Sequence, residues 1–182
     1  MNPSDWVTRW SHLVPPAASV LDVACGSGRH LQWFSDRGHA VTGVDRDTST
    51  AQARHTGATL VQTDIENQPW PLLQDGMPQQ FGVVVVTNYL WRALLPTVLA
   101  SLAPSGVLLY ETFAAGNETL GRPSRPDFLL RAGELLEVCK DLHVVAYEHG
   151  VRQDPPRFVQ RIAAIRLPNH LLGQTPPAAY AL

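Results

Sequence analysis

Polar side chains stand at the ends of successive apolar runs in this chain: Asp22 just before two close glycines, Gly26 and Gly28, then Asp45, Asp64, and the trio Thr87-Asn88-Tyr89. A carboxylate placed there can accept hydrogen bonds from a pair of hydroxyl groups, as on a ribose, and glycines without a Cβ let a ligand lie against bare backbone. In Ser19-Val20-Leu21-Asp22-Val23-Ala24-Cys25-Gly26-Ser27-Gly28-Arg29-His30 an apolar run enters a turn that opens a helix, whose unpaired N–H groups would face the same spot. Asp45 follows Gly28 by seventeen residues, at the end of the next apolar run.

The elements that must position these groups read as alternating strands and helices. Strands are expected at residues 19–23, 39–44, 59–62, 81–86 and 107–110, with a closely spaced antiparallel pair at 143–147 and 161–167. Ser4 or Asp5 can cap a first helix carrying Trp6, Trp10, Leu13 and Val14 on one stripe before Pro15-Pro16 ends it. Further helices are expected at 29–37, stopped by Gly38, and at 48–55, 94–102 and 131–141. Residues 67–80, with Pro69, Pro71, Gly76 and Pro78, read as a loop anchored by Trp70 and Leu72, and residues 103–106 as a turn. In an open parallel sheet ligands bind at the carboxyl ends of the strands, where the polar residues lie.

The stretch from Val20 to His30, Asp45, Asp64 and the strand from Val83 to Tyr89 together resemble the successive motifs of the class I S-adenosylmethionine-dependent methyltransferases, a likeness that covers roughly residues 15–167. It implies an α/β, Rossmann-like, mostly parallel seven-stranded sheet with helices on both faces and a C-terminal antiparallel hairpin. It also implies S-adenosylmethionine as cofactor, with the methionine part near Gly26 and Gly28, the ribose at Asp45 and the adenine at Asp64. Asp22, Ala24, Arg29, His30, Arg46, Ile65, Thr87 and Asn88 complete the expected cofactor side. Ala24 stands where the family usually has its first glycine, a substitution that costs little if the backbone there has negative φ. One domain over residues 1–168 is expected, with residues 1–16 leading over the cofactor side and 169–182 an irregular tail.

Methyl transfer from a sulfonium asks mainly for orientation, so few side chains are obligatory. The acceptor side is expected from Tyr89, Glu111, Asn117 and Arg122. Glu111 would serve as a base or cation-binding carboxylate, and Arg122, Arg125 and Arg131 would hold an anionic acceptor in the polar, glycine-rich stretch 111–123 and just beyond. His149, beside Gly150, is expected in a turn, where its imidazole could accept a proton. The Asn-Pro-Pro-Tyr pattern of adenine-amine methyltransferases is missing, which disfavours base-amine methylation.

Composition narrows the classes. A length of 182 residues suits one catalytic domain, and a net charge of −2 provides no global basic field for nucleic acid, although Arg122, Arg125, Arg131, Arg152 and Arg157 could form a local patch. Lys140 is the single lysine among the fourteen basic residues. Cys25 and Cys139 make no disulfide framework, and no His/Cys clustering suggests a metal. The first residues show no leader pattern, and no apolar run reaches the ~20 residues of a membrane span, so a cytoplasmic protein without membrane attachment is expected. A nicotinamide dehydrogenase would need a small residue where Leu31 stands. The expected function is in-line transfer of a methyl group to a small-molecule acceptor. Methylation of protein or RNA, or cofactor binding without turnover, are the alternatives.

Overall fold

The computed structural model describes residues 2–54, 57–168, 171, 180 and 181. In chain order its elements are α1 (Asp5–Trp10), β1 (Val20–Val23), α2 (Arg29–Ser35), β2 (Val41–Asp45), α3 (Ser49–Arg54) and β3 (Thr59–Gln62). A small hairpin of β4 (Leu73–Gln74) and β5 (Met77–Pro78) follows, then β6 (Phe81–Thr87), α4 (Leu95–Ala100), β7 (Leu102–Phe113), α5 (Glu134–Val138), β8 (His143–Gln153) and β9 (Pro156–Ile165). Seven strands form one sheet in the order β3-β2-β1-β6-β7-β9-β8. The first five are parallel, while β9 runs antiparallel to both β7 and β8. This is the Rossmann-like sheet with a closing hairpin that the motifs implied, and β1 and β6 are buried at nearly every position because helices cover both faces.

Side chains alternate across the sheet, so each strand feeds two cores. On one face Val20, Val83, Val85, Leu109 and Ala163 pack with Trp6 and Trp10 of α1 and Leu31 and Phe34 of α2. On the other, Leu21, Val84, Leu108 and Ile162 pack with Leu95 and Val98 of α4 and Leu135 of α5. Ser4 caps α1 by accepting from the Trp6 N–H at 3.2 Å, and the Trp6 indole N–H donates to the Ile162 carbonyl at 3.1 Å. The leading helix is thereby fixed to the sheet.

Several boundaries differ from expectation for local reasons. The expected turn at 103–106 is a bulge inside β7: Phe81 lies opposite Leu102, yet Val83 lies opposite Val107. The helix expected at 131–141 shrinks to α5 because Gly133, at φ 73°, sits in the left-handed region as its N-cap. The 94–102 helix opens with a 3-10 turn at Arg92–Leu94, and the loop at 67–80 contains the β4-β5 hairpin, with Leu72 buried beneath it. The closing hairpin is longer than expected, so His149 and Gly150 lie within β8 and not in a turn. The expected end of the 48–55 helix at His55, and most of the tail 169–182, lie outside the described residues. Of that tail, the Tyr180 ring lies 5.3 Å from the His143 ring, tilted by 51°, and the Ala181 carbonyl meets His12 at 3.1 Å.

Candidate cofactor and acceptor site

The glycine turn is built as a bare-backbone platform. Gly26 and Gly28 take φ of 52° and 73°, and Gly28 caps α2 in the left-handed region. Ala24 also takes positive φ, 54°, so it does not have the negative φ under which its side chain would be innocuous. An L-residue there costs about 1–2 kcal/mol, a strain the usual glycine avoids. The Gly26 N–H donates to Asp45 Oδ2 at 2.8 Å, and the Asp47 N–H to Asp45 Oδ1 at 3.0 Å. Asp45 thus ties the first strand-end turn to the second. A carboxylate has about four lone-pair sites, so acceptor capacity remains for a ribose diol.

Next to this tie a cleft of about 490 Å³ opens at the carboxyl ends of β1, β2 and β3. Ala24, Asp45, Arg46, Asp64, Ile65 and Tyr89 all line it, as do Thr63, Glu66, Asn67 and Phe128, which sequence reasoning did not single out. Asp64 accepts from the Asn67 side-chain amide at 2.9 Å and from the Glu66 N–H at 3.1 Å, and these bonds hold its carboxyl below the usual range. The Asp64-x-x-Asn67 spacing was the available signal for Asn67. Phe128 comes from a 3-10 turn in the segment after β7, and nothing local marks it as a cleft residue. Burial raises the Tyr89 phenol, aided by Glu66 nearby, and burial raises the Cys25 thiol, aided by Asp22 and Asp45; neither is a ready anionic nucleophile.

Asp22 and His30, expected on the cofactor side, are each 1% exposed and turn inward. The Ser4 N–H donates to His30 Nε2 at 3.2 Å, which puts the proton of a neutral imidazole on Nδ1, 3.4 Å from Asp22 Oδ2. The pair anchors the leading segment beneath the turn. Arg29 instead reaches Thr87 Oγ1 at 3.3 Å and the Asn2 carbonyl at 3.5 Å, and the neighbouring Asn88 is exposed with φ 55°.

The four expected acceptor residues part company. Tyr89 lines the cleft. Glu111 is 1% exposed and bound to Ser4 Oγ at 3.0 Å and to Arg161 Nη1 at 3.1 Å, so it is neither a free base nor an open cation ligand. Asn117 is buried, its amide donating to the Pro123 carbonyl at 2.9 Å and accepting from the Phe158 N–H at 3.2 Å, so it clamps the segment after β7. Arg122 is exposed, Arg125 pairs with Asp127, and Arg131 contacts Glu134. The described arginines nearest the Thr87-Asn88 strand end are others: Arg29, Arg157 and, through Glu111, Arg152 and Arg161.

Arg92 holds the Phe128 turn in place. Its guanidinium donates to the Asp127 and Leu129 carbonyls, both at 2.8 Å, and to the buried Glu134 at 2.7 and 3.0 Å. Burial alone would raise Glu134, but the bonds from Arg92 and the Arg131 N–H outweigh it and hold its carboxyl below the ordinary value. A depressed folded-state pKa contributes stability above the unfolded value of ~4.3 and loses it as pH falls through the folded one. Glu134→Gln should therefore cost about 1.5–3 kcal/mol at pH 7, and the gap to the parent should close on acidification. Melting curves across that range check it; a gap independent of pH refutes the ionic clamp.

Residues 20–106 match the family model of a methyltransferase domain. No curated protein matches the sequence significantly. Among solved structures, a S-adenosylmethionine-dependent methyltransferase from Methanosarcina mazei superposes with a TM-score of 0.65 at 13% identity, covering 92% of this chain and 99% of that one. A 1,6-didemethyltoxoflavin-N1-methyltransferase from Burkholderia thailandensis, with bound substrate and S-adenosylhomocysteine, gives 0.63 at 18% identity over 90% and 76%. The N-methyltransferase NodS from Bradyrhizobium japonicum gives 0.65 at 15% over 88% and 94%. The fold is that of the class I methyltransferases, a sheet with its binding cleft at the strand ends. Residues 20–106 thus match a methyltransferase domain, and the fold around them is shared with these methyltransferases.

Proposed function

We propose that the chain is a single domain over residues 1–168 that transfers the methyl group of S-adenosylmethionine to a small-molecule acceptor by in-line displacement, in the cytoplasm. The observation that carries the reading is the Gly26–Asp45 tie beside a cleft floored by Asp64 and Ile65. Carboxylates suit ribose hydroxyls and an exocyclic amine, and the positive-φ glycines leave room for a chain against backbone, so the residues present fit this cofactor. When bound it supplies an electrophilic methyl on a sulfonium. Asp45 would hold the ribose, Asp64 and Ile65 the adenine, and Arg29 the carboxylate of the methionine part. Thr87 and Asn88 then border the open side from which an acceptor lone pair approaches. Among the described residues no helix is long and apolar enough to cross a membrane, and the structurally similar enzyme from Burkholderia thailandensis holds a small molecule, 1,6-didemethyltoxoflavin, beside S-adenosylhomocysteine. A net charge of −2 does not favour an RNA substrate.

S-adenosylhomocysteine should raise the melting temperature and NAD should not, with about 2.7 kcal/mol of stabilisation at a hundredfold excess over the dissociation constant. Equal stabilisation by NAD in differential scanning fluorimetry would overturn the cofactor assignment.

A further inference from the structure

We infer that the acceptor carries an oxyanion, a carboxylate or phosphate, which Arg157 grips at the open side of the strand ends. The inference deepens the methyltransferase reading and rests on it. Register brings the arginines there. β7 stops pairing with β9 at Phe113 opposite Val159, while β8 and β9 continue together to Arg152 opposite Arg157. The hairpin tip therefore overhangs the carboxyl end of β7, on the side where the cofactor cleft opens.

Arg9, Arg152, Arg157 and Arg161 form one ion-pair network with Asp5, Glu111 and Glu148, four cations against three carboxylates. Arg161 takes the short contacts, 2.6 Å to Glu148 and 3.1 Å to Glu111, and Arg152 takes Asp5 at 2.9 Å. Arg157 is left with the shared Glu111 at 3.9 Å and the Asn88 side-chain oxygen at 3.5 Å. Its side chain is only 18% exposed, and its buried Nε has no hydrogen-bond partner. Burial and the like charges of Arg152 and Arg29 both weigh against its protonated form. A planar guanidinium with unused donors in a partly dry setting is suited to bidentate capture of an oxyanion. Its contact with Asn88 puts that capture at the end of β6, where the acceptor must come.

The test uses the full chain saturated with S-adenosylhomocysteine and matched probes: benzoate against benzamide, malonate against malonamide, and inorganic phosphate. At least one anion should bind ~10- to 100-fold more tightly than its neutral analogue, and whether it is a carboxylate or phosphate identifies the group. Arg157→Met should erase that preference while leaving the affinity for S-adenosylhomocysteine unchanged, a result that also shows the variant to be folded. Arg157→Lys, which keeps the charge and loses the fork, should retain part of it and serves if the methionine variant does not fold. Anions binding no better than neutral analogues overturn the proposal, as does a loss of S-adenosylhomocysteine affinity in a folded Arg157 variant, which would assign Arg157 to the cofactor. Failure of S-adenosylhomocysteine to bind the unaltered protein overturns the cofactor reading instead.

Discussion

Glu111→Ala should destabilise the protein by about 3–5 kcal/mol, the usual result of removing one partner from a buried ion pair and leaving the other uncompensated. Glu111 is central to a polar row that crosses four strands, because Thr87, Glu111, Arg161 and Glu148 stand in register on one face of β6, β7, β9 and β8. Further along β6, β7 and β9 that face is apolar, with Val85, Leu109 and Ala163 under α1. Without the Glu111 carboxylate, Arg161, Arg152 and Arg157 lose a shared counter-charge and Ser4 Oγ loses its acceptor. Ser4 also caps α1 and donates its N–H to His30, so the leading segment should loosen along with the sheet edge. Glu148→Ala removes an outer partner that is 42% exposed and should cost only about 0–1 kcal/mol by comparison. Urea unfolding of the two variants decides the matter. Similar small losses for both would mean that the row is no more than a surface ion-pair cluster.

Asp45→Ala should weaken S-adenosylhomocysteine binding by about 10- to 150-fold, the equivalent of ~1.5–3 kcal/mol for losing hydrogen bonds to a charged group. Two effects add. The proposed ribose partner disappears, and the Gly26 N–H, held at 2.8 Å by that carboxylate, loses what fixes the turn. Asp45 is partly exposed at the end of β2, so global stability should change little. Calorimetric titration with the folded variant is the measurement, and an unchanged affinity would remove Asp45 from the binding site. Asp45→Asn separates the two effects, since the amide oxygen can still accept from Gly26 while its charge is gone.

The order of strands and helices, the glycine turn and the Asp45, Asp64 and Thr87-Asn88 strand ends were legible in the chain because each depends on local causes. Apolar runs of four to seven residues make the strands, an absent Cβ permits the φ of Gly26 and Gly28, and a polar residue after a buried strand emerges at its end. Sequence determined that much by itself. Only the tertiary structure decided which polar groups remain available to a ligand. Ser4 lies 107 residues from Glu111, and Arg161 lies 50, yet both close on one carboxylate that sequence pattern offered as a base. Asn117 and His30 look equally free in the chain, but Phe158 and Pro123 engage the first, Ser4 and Asp22 the second. Conversely, Arg125 pairs with Asp127 and Arg131 with Glu134, and the register of an antiparallel hairpin brings Arg157 to Asn88 instead. A strand's periodicity says which face a side chain takes. How far the strand slides along its neighbour is set by turn, bulge and packing together, and that displacement determines which residues meet at the site.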